Sequence, residues 1–148
     1  MIPIPIPIPC FPLSGNDRFE GRWQLYTDAA FNHGQGGMAY RLITDQHVID
    51  KAWIEPCRSS VDAEMRAMAE GLHLVPAGQE VDAFTDLQTT VNQAKDPKPG
   101  FLAKVPLFGS VLAEIKRIGA VRLKWIRESQ SEDLAAVDAL SKQSLRVL

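Results

Sequence analysis

Apolar spacing divides the chain into a run of strands followed by alternating helices and strands. Three segments rich in β-branched and aromatic residues predict strands at residues 23–31, 37–44 and 47–55. The segment NHGQGG predicts a turn between the first two strands, and DQ predicts a tight connection before the third. Because such short links allow only antiparallel pairing, we expect a three-stranded meander.

After residue 58 the apolar period becomes that of a helix. In SSVDAEMRAMAEGLHLV the apolar positions recur every three or four residues, and Ser60 is expected to cap the helix. The remaining segments predict, in order, a strand VDAFTD, a helix DLQTTVNQA, a loop DPKPGFLAKVP, a helix LFGSVLAEIKRIG closed by Gly119, a strand AVRLKWI, a loop RESQSED and a final helix LAAVDALSKQSLRVL. The order predicts an α/β fold whose mixed five-stranded sheet joins an antiparallel meander to parallel strands, with helices on both faces.

The first twenty residues follow neither pattern. MIPIPIPIP alternates isoleucine and proline, which favours polyproline II or an edge strand because proline has no backbone N–H. We therefore assign residues 1–20 to a proline-rich N-terminal arm and residues 21–148 to the folded domain. A packed or frayed arm is favoured over a ligand for a proline-recognition domain.

Composition narrows the class of protein. The chain has 148 residues, of which 45% are hydrophobic and 23% charged, as is typical of one globular domain. No apolar run approaches the roughly 20 residues of a membrane-spanning helix, and the prolines near the start argue against a signal peptide. Cys10 and Cys57 are too few for a disulfide framework, so a cytoplasmic location is expected.

Charge is unevenly distributed about a net value of −2. Residues 1–94 contain 6 Lys and Arg against 12 Asp and Glu, whereas residues 95–148 contain 10 against 6. A bound metal would offset part of the acidic excess, and the basic part could face phosphates. Half-chain biases of this size also arise on ordinary solvated surfaces.

Four acidic residues stand in distinct local patterns: Asp28, Glu64, Asp86 and Asp138. The first and third close strand-like runs, and the other two lie on predicted helices. Carboxylates that converge in one α/β domain repel one another unless a cation holds them, which predicts a divalent-metal hydrolase. Taken singly, each has an ordinary explanation as a turn former, a first-turn acid or an N-cap; taken together, they favour metal binding.

With these acids in this order, the chain resembles the type 1 ribonuclease H family. YTDAAFNHGQGGMAY is similar to the family's first strand and turn, SSVDAEMRAMAEGL to its glutamate helix, FTDLQTTVN to its second aspartate segment, and KWIRESQSEDLAAVDALSK to its closing strand, loop and helix. The loop RESQSED has no histidine, which places the chain nearer the branch that lacks the catalytic loop histidine. Glu128 or Glu132 could assist product release or bind a metal transiently, although a solvated acid is favoured.

The resemblance implies a two-metal-ion site. Asp28 would bridge two Mg²⁺ ions (Mn²⁺ is an alternative), Asp138 would complete the nucleophile side, and Glu64 with Asp86 would complete the leaving-group side. Substrate contacts with 2′-hydroxyl groups would come from Asn32, Gly34, Ser60 and Gln88.

The expected function is therefore that of a metal-dependent endonuclease that cuts the RNA strand of RNA–DNA hybrids, acting as a monomer away from membranes. One alternative is another nuclease of the same fold, such as a junction resolvase or an exonuclease. The other is a non-catalytic domain that binds nucleic acid or protein. Because none of the four acids precedes Trp23, we expect the arm to be dispensable for catalysis.

Overall fold

This computed structural model describes residues 21–146, and the proline-rich arm assigned from the sequence lies outside them. The strands are β1 (Trp23–Asn32), β2 (Gln35–Ile43), β3 (Val48–Pro56), β4 (Glu80–Thr85) and β5 (Ala120–Trp125). The helices are α1 (Ser60–His73), α2 (Gln88–Lys95), α3 (Pro99–Lys104), α4 (Leu107–Ile118) and α5 (Glu132–Arg146), with a 3-10 turn at Glu128–Gln130. Within residues 21–146 no helix has the length and apolar character needed to span a membrane.

The sheet has the strand order β3-β2-β1-β4-β5. β1 pairs antiparallel with β2, and β2 with β3, whereas β1–β4 and β4–β5 are parallel. The predicted mixed sheet of a meander plus parallel strands is therefore confirmed. The turn of the first hairpin consists of two residues, His33 and Gly34, both with positive φ. β2 therefore begins two residues earlier than predicted. Two positive φ values give the turn a twist that matches its strands.

Helices cover both faces of the sheet. On one face α1 and α4 bury a core that includes Leu25, Leu72 and Phe108. On the other face α5 packs Leu134 and Val137 against residues of β1 and β2. Both sheet faces thereby bury apolar side chains, and α1 and α5 approach β1 from opposite sides.

Three local predictions are corrected. The segment predicted as a loop contains α3, because Pro99 suits the first turn of a helix and Phe101 packs edge-to-face on Phe108, with 5.2 Å between ring centroids. The N-cap of α1 is Ser59 rather than Ser60, since Ser59 Oγ accepts a hydrogen bond from Asp62 N at 3.1 Å. α5 begins two residues earlier than predicted, where Ser131 Oγ accepts from Leu134 N.

Candidate metal centre

The register of β1 and β4 brings two aspartates to the same level of the sheet. Tyr26 pairs with Phe84 in the parallel ladder, and two residues further along each chain stand Asp28 and Asp86. Asp86 follows the last residue of β4, and Leu87, not Asp86, is the N-cap residue of α2. Asp28 lies inside β1, but at the level where its neighbour β4 ends.

Glu64 joins Asp28 through a shared backbone donor. Ala29 N lies 2.9 Å from Asp28 Oδ1 and 3.2 Å from Glu64 Oε1. Ser59 positions the Glu64 carboxylate indirectly, because Ser59 is the N-cap that sets where α1 begins. The second oxygens, Asp28 Oδ2 and Glu64 Oε2, are buried without a hydrogen-bond partner in the described part of the chain. Such oxygens are costly to bury unless a proton or a cation compensates their charge.

Asp138 enters the same cluster from α5, which packs across β1 and β2. Lys142, one helical turn further on, places Nζ 2.9 Å from Asp138 Oδ2. Glu128, in the turn before α5, has a carboxylate oxygen within 4.8 Å of oxygens of both Asp28 and Asp86. The structure thus collects five carboxylates and one ammonium from β1, α1, the end of β4, the 3-10 turn and α5.

Burial and nearby negative charges raise the pKa values of the three inner acids, Asp28, Glu64 and Asp86. Burial above all, with Asp138 and Asp86, raises the pKa of Asp28 to about 7, although hydrogen bonds to Glu64 and Ala29 act in the opposite direction. The pKa of Glu64 is raised well above its ordinary value by burial and by Asp28. The pKa of Asp86 is also raised, by burial and by Asp138.

The outer acids differ because of Lys142. Burial raises the pKa of Asp138, but the hydrogen bond and charge of Lys142, together with hydrogen bonds to Asp28 and Glu128, outweigh this effect, so that its pKa is lowered. The pKa of Glu128 is raised, first by desolvation and then by the negative charge of Asp138. Asp138 has an ammonium partner, whereas Asp28 and Glu64 each bury an oxygen without a hydrogen-bond partner within residues 21–146.

The donor set fits hard divalent ions. Carboxylate oxygens are the ligands that Mg²⁺ and Mn²⁺ take in proteins. The buried, unpartnered oxygens of Asp28 and Glu64 and the close oxygens of Asp86 and Glu128 are those that a cation would neutralise. On these observations the residues present fit a divalent metal.

The residues predicted to contact substrate lie on three segments. Asn32 and Gly34 are exposed at the first hairpin, where Gly34 O accepts a hydrogen bond from Cys57 N at 3.0 Å. Ser60 is exposed on the first turn of α1, four residues before Glu64. Gln88 is exposed at the start of α2, two residues after Asp86. All four present polar groups to solvent, and each lies on an element that also bears, or adjoins, one of the acids.

Two neighbours of the acids were not selected from the sequence. Lys142 follows Asp138 at the i,i+4 spacing of a helical ion pair, which was the available signal. Trp125 is 40% exposed, and its Nε1 donates to the backbone oxygen of Asp86 at 3.0 Å. Arg127 lies over the Trp125 ring, 6.0 Å from its centroid. The sequence offers Glu128 and Glu132 equally, and the structure places Glu128 in the cluster and Glu132 at an exposed position.

Solved structures with the same fold are ribonucleases H. RNase H1 from the halophilic archaeon Halobacterium salinarum NRC-1 aligns with a TM-score of 0.70 at 15% identity, covering 86% of this chain and 100% of that one. The N-terminal RNase H domain of Rv2228c from Mycobacterium tuberculosis, solved as a fusion with maltose binding protein, aligns with a TM-score of 0.71 at 16% identity, covering 86% and 96%. LC11-RNase H1, in complex with an RNA/DNA hybrid, aligns with a TM-score of 0.64 at 16% identity, covering 84% and 99%.

The chain therefore has the type 1 ribonuclease H fold. No protein-family model matches the sequence, and no curated protein matches it either. The likeness is one of three-dimensional structure, and it agrees with the family that the motifs resemble.

Proposed function

We propose that this protein is a divalent-metal-dependent endonuclease that hydrolyses the RNA strand of RNA–DNA hybrids. The observation that carries the proposal is the buried pair Asp28 and Glu64, whose second oxygens lack a partner within residues 21–146, while oxygens of Asp86 and Glu128 lie within 4.8 Å of an oxygen of Asp28. A fold kept only for binding has no need to bury such a pair without a counter-charge.

Asp28 would be the carboxylate shared by two Mg²⁺ or Mn²⁺ ions. Asp138 would complete the ligands of one ion, and Glu64 with Asp86 those of the other. When bound, such ions activate water and stabilise charge on the leaving oxygen of a phosphodiester.

The chain's own residues prepare the site. The N–H of Ala29 holds Asp28 and Glu64 in one orientation by hydrogen bonding to both. Lys142 holds the Asp138 carboxylate on α5 and keeps it ionised. Glu128 is partly exposed and has a raised pKa, so its carboxyl group can carry a proton between the site and solvent.

Hybrid recognition would use the polar groups around the acids. Telling RNA from DNA requires contacts with 2′-hydroxyl groups across a wide minor groove. Asn32, Gly34, Ser60 and Gln88 offer amide, hydroxyl and backbone groups for that purpose. Trp125 and Arg127 add an exposed aromatic face and a positive charge beside Asp86.

The test is cleavage of labelled RNA–DNA hybrid, double-stranded RNA and branched DNA, each in Mg²⁺, Mn²⁺ or EDTA. We expect the hybrid alone to be cut, internally and only with metal. Asp28→Asn should abolish cutting because the shared carboxylate loses its charge but not its shape. Asp96→Asn, which neutralises an exposed acid paired with Lys98, is the matched control and should remain active.

Three results would contradict the proposal. Cleavage of branched DNA in preference to the hybrid would favour a junction resolvase. Release of single nucleotides from an end would favour an exonuclease. Hybrid binding without cleavage in either metal would favour a non-catalytic domain.

A further inference from the structure

The outer edge of β5 is open. Within residues 21–146, β5 occupies the end of the sheet and pairs only with β4. Ile126 N, just past the strand, donates to Thr85 O of the β4 side at 3.0 Å. Because backbone groups alternate in direction along a strand, the N–H and C=O groups of Val121 and Leu123 point away from β4. An unpaired edge of this kind is a template for another strand.

An apolar groove of about 340 Å³ follows this edge between α2, α4 and β5. Its apolar lining is Val91, Ala94, Leu112, Ile115, Val121 and Leu123. Val121 and Leu123 therefore contribute both the free backbone groups of the edge and part of the wall of the groove. A segment suited to this place must offer backbone groups on one side and apolar side chains on one face.

Residues 2–9 of the arm have that chemistry. They alternate isoleucine and proline, beginning with Ile2 and ending with Pro9. In an extended strand the alternation places all four isoleucine side chains on one face and their N–H groups along one edge. The prolines, which lack an N–H, then occupy the opposite edge, where they would stop the addition of a further strand.

Strand geometry selects an antiparallel orientation. In an antiparallel hydrogen-bonded pair, two opposed residues point their backbone groups at each other and their side chains to the same face. Isoleucines paired with Val121 and Leu123 in this way would project into the groove. A parallel arrangement would instead turn the proline rings towards the groove.

The described part of the chain begins beside the required end of β5. An Arg22 guanidinium nitrogen donates to Val81 O at 3.3 Å and to Ala120 O at 3.4 Å. Trp23, Val81 and Val121 lie in one row of the sheet, so the exit is roughly 10 Å from β5 at about 4.8 Å per strand spacing. Residues 10–20 can span up to roughly 36 Å, and antiparallel docking needs Pro9 near Ala120.

We propose that residues 2–9 dock as a sixth strand, antiparallel to β5, with their isoleucine side chains in the groove between α2, α4 and β5. The docked arm would close an edge that otherwise invites association with other chains. This inference does not depend on the nuclease activity proposed above.

Amide hydrogen exchange on the full chain tests the docking. The Val121 and Leu123 amides should be protected, and the double variant Ile4→Asp/Ile6→Asp should speed their exchange by at least about tenfold. Pro5→Asp/Pro7→Asp is the matched control: it adds the same charge to the same segment but leaves the isoleucine face intact, so protection should persist. Fast exchange of both amides in the unmodified chain would overturn the proposal, as would equal loss of protection in the two double variants.

A spin label on Cys10, in a Cys57→Ser background, tests the orientation and the source of the strand. Antiparallel docking predicts strong broadening of the Ala120 and Val121 amides and weaker broadening near Trp125. In a mixture of spin-labelled chains without ¹⁵N and ¹⁵N chains without a spin label, the ¹⁵N chains should show no broadening. Broadening across that mixture would assign the edge to a second copy of the chain, and broadening strongest at Trp125 would reverse the orientation; either result rejects the proposal.

Discussion

Asp28 and Glu64 share the N–H of Ala29, which lies 2.9 Å from Asp28 Oδ1 and 3.2 Å from Glu64 Oε1. Two carboxylates held by one weak donor cannot both be ionised cheaply at a buried site, because burial raises the pKa of both and the charge of Asp28 raises the pKa of Glu64 further. The carboxylates therefore repel one another in the native state. Protonation, metal binding or a neutral substitution should relieve this repulsion and change the stability of the protein.

Stability without metal should fall as the pH rises from about 4 to about 7. The pKa of Asp28 is about 7 in the native state against an ordinary 3.8, so in this window the folded protein retains a proton that the unfolded chain has released. At 1.36 kcal/mol per pH unit the contribution of Asp28 has an upper limit of about 4 kcal/mol. Thermal melts in EDTA across this range should show the slope, and Asp28→Asn should flatten it. The control Asp96→Asn should keep the slope; equal slopes in all three proteins would contradict the assignment.

Divalent metal should raise the melting temperature. Metal that binds only the native state stabilises it by about 2.7 kcal/mol at roughly 100 times its dissociation constant. Asp86→Asn should raise the melting temperature in EDTA, because it removes one of the repelling charges, and should reduce the additional rise with Mn²⁺ or Mg²⁺. Melts at matched ionic strength check both effects. Identical melting temperatures with metal and with EDTA would contradict metal binding by the converging acids.

Lys142→Met should destabilise the protein most when metal is absent. Methionine keeps most of the length of lysine but removes the charge that faces Asp138 Oδ2. In EDTA the cluster then loses its ammonium partner, whereas bound metal can neutralise the same carboxylate. The melting temperature should therefore fall further in EDTA than in saturating Mn²⁺. Lys116→Met, on the exposed face of α4, is the control and should show no such difference.

Glu128→Gln should slow hybrid cleavage, whereas Glu132→Gln should not. Glu128 approaches Asp28 and Asp86, and Glu132 lies exposed on the first turn of α5. We expect a loss of roughly 10- to 100-fold, the range found for residues that support metal ligands. Single-turnover rates measured over a series of Mg²⁺ concentrations separate weaker metal binding from slower chemistry. Equal rates in the two variants would remove Glu128 from the site.

Gly37→Ala should destabilise the fold and disturb the site at a distance. A methyl group at Gly37 would meet the carbonyl oxygen of Ser141 and lie 2.9 Å from Leu145 Cγ, so α5 must move away from β2. Overpacking of this kind costs about 1–3 kcal/mol. Gly100→Ala in α3, where nothing lies within 4 Å, is the control and should be neutral or stabilising. Denaturant melts of the two variants check the difference.

Local patterns in the sequence were sufficient to predict the order of the strands and of the α-helices other than α3, and with it the mixed sheet. Alternation along residues 23–55 indicated the meander, and the change to a helical period indicated α1, because these signals come from residues near one another in the chain. The four acids could be chosen on the same basis. The limits of local signals appear at Ser59 and at α3, where a single hydrogen bond and the Phe101–Phe108 contact decided the outcome.

Tertiary structure alone decided how the acids meet. The parallel register of β1 and β4 sets Asp28 level with Asp86, and the packing of α5 on β1 and β2 brings Asp138 and Lys142 beside them. It also separates Glu128 from Glu132, which the sequence leaves equivalent. Distances, burial and pKa shifts depend on contacts between residues far apart in the chain, and these exist only once the sheet and its helices have packed.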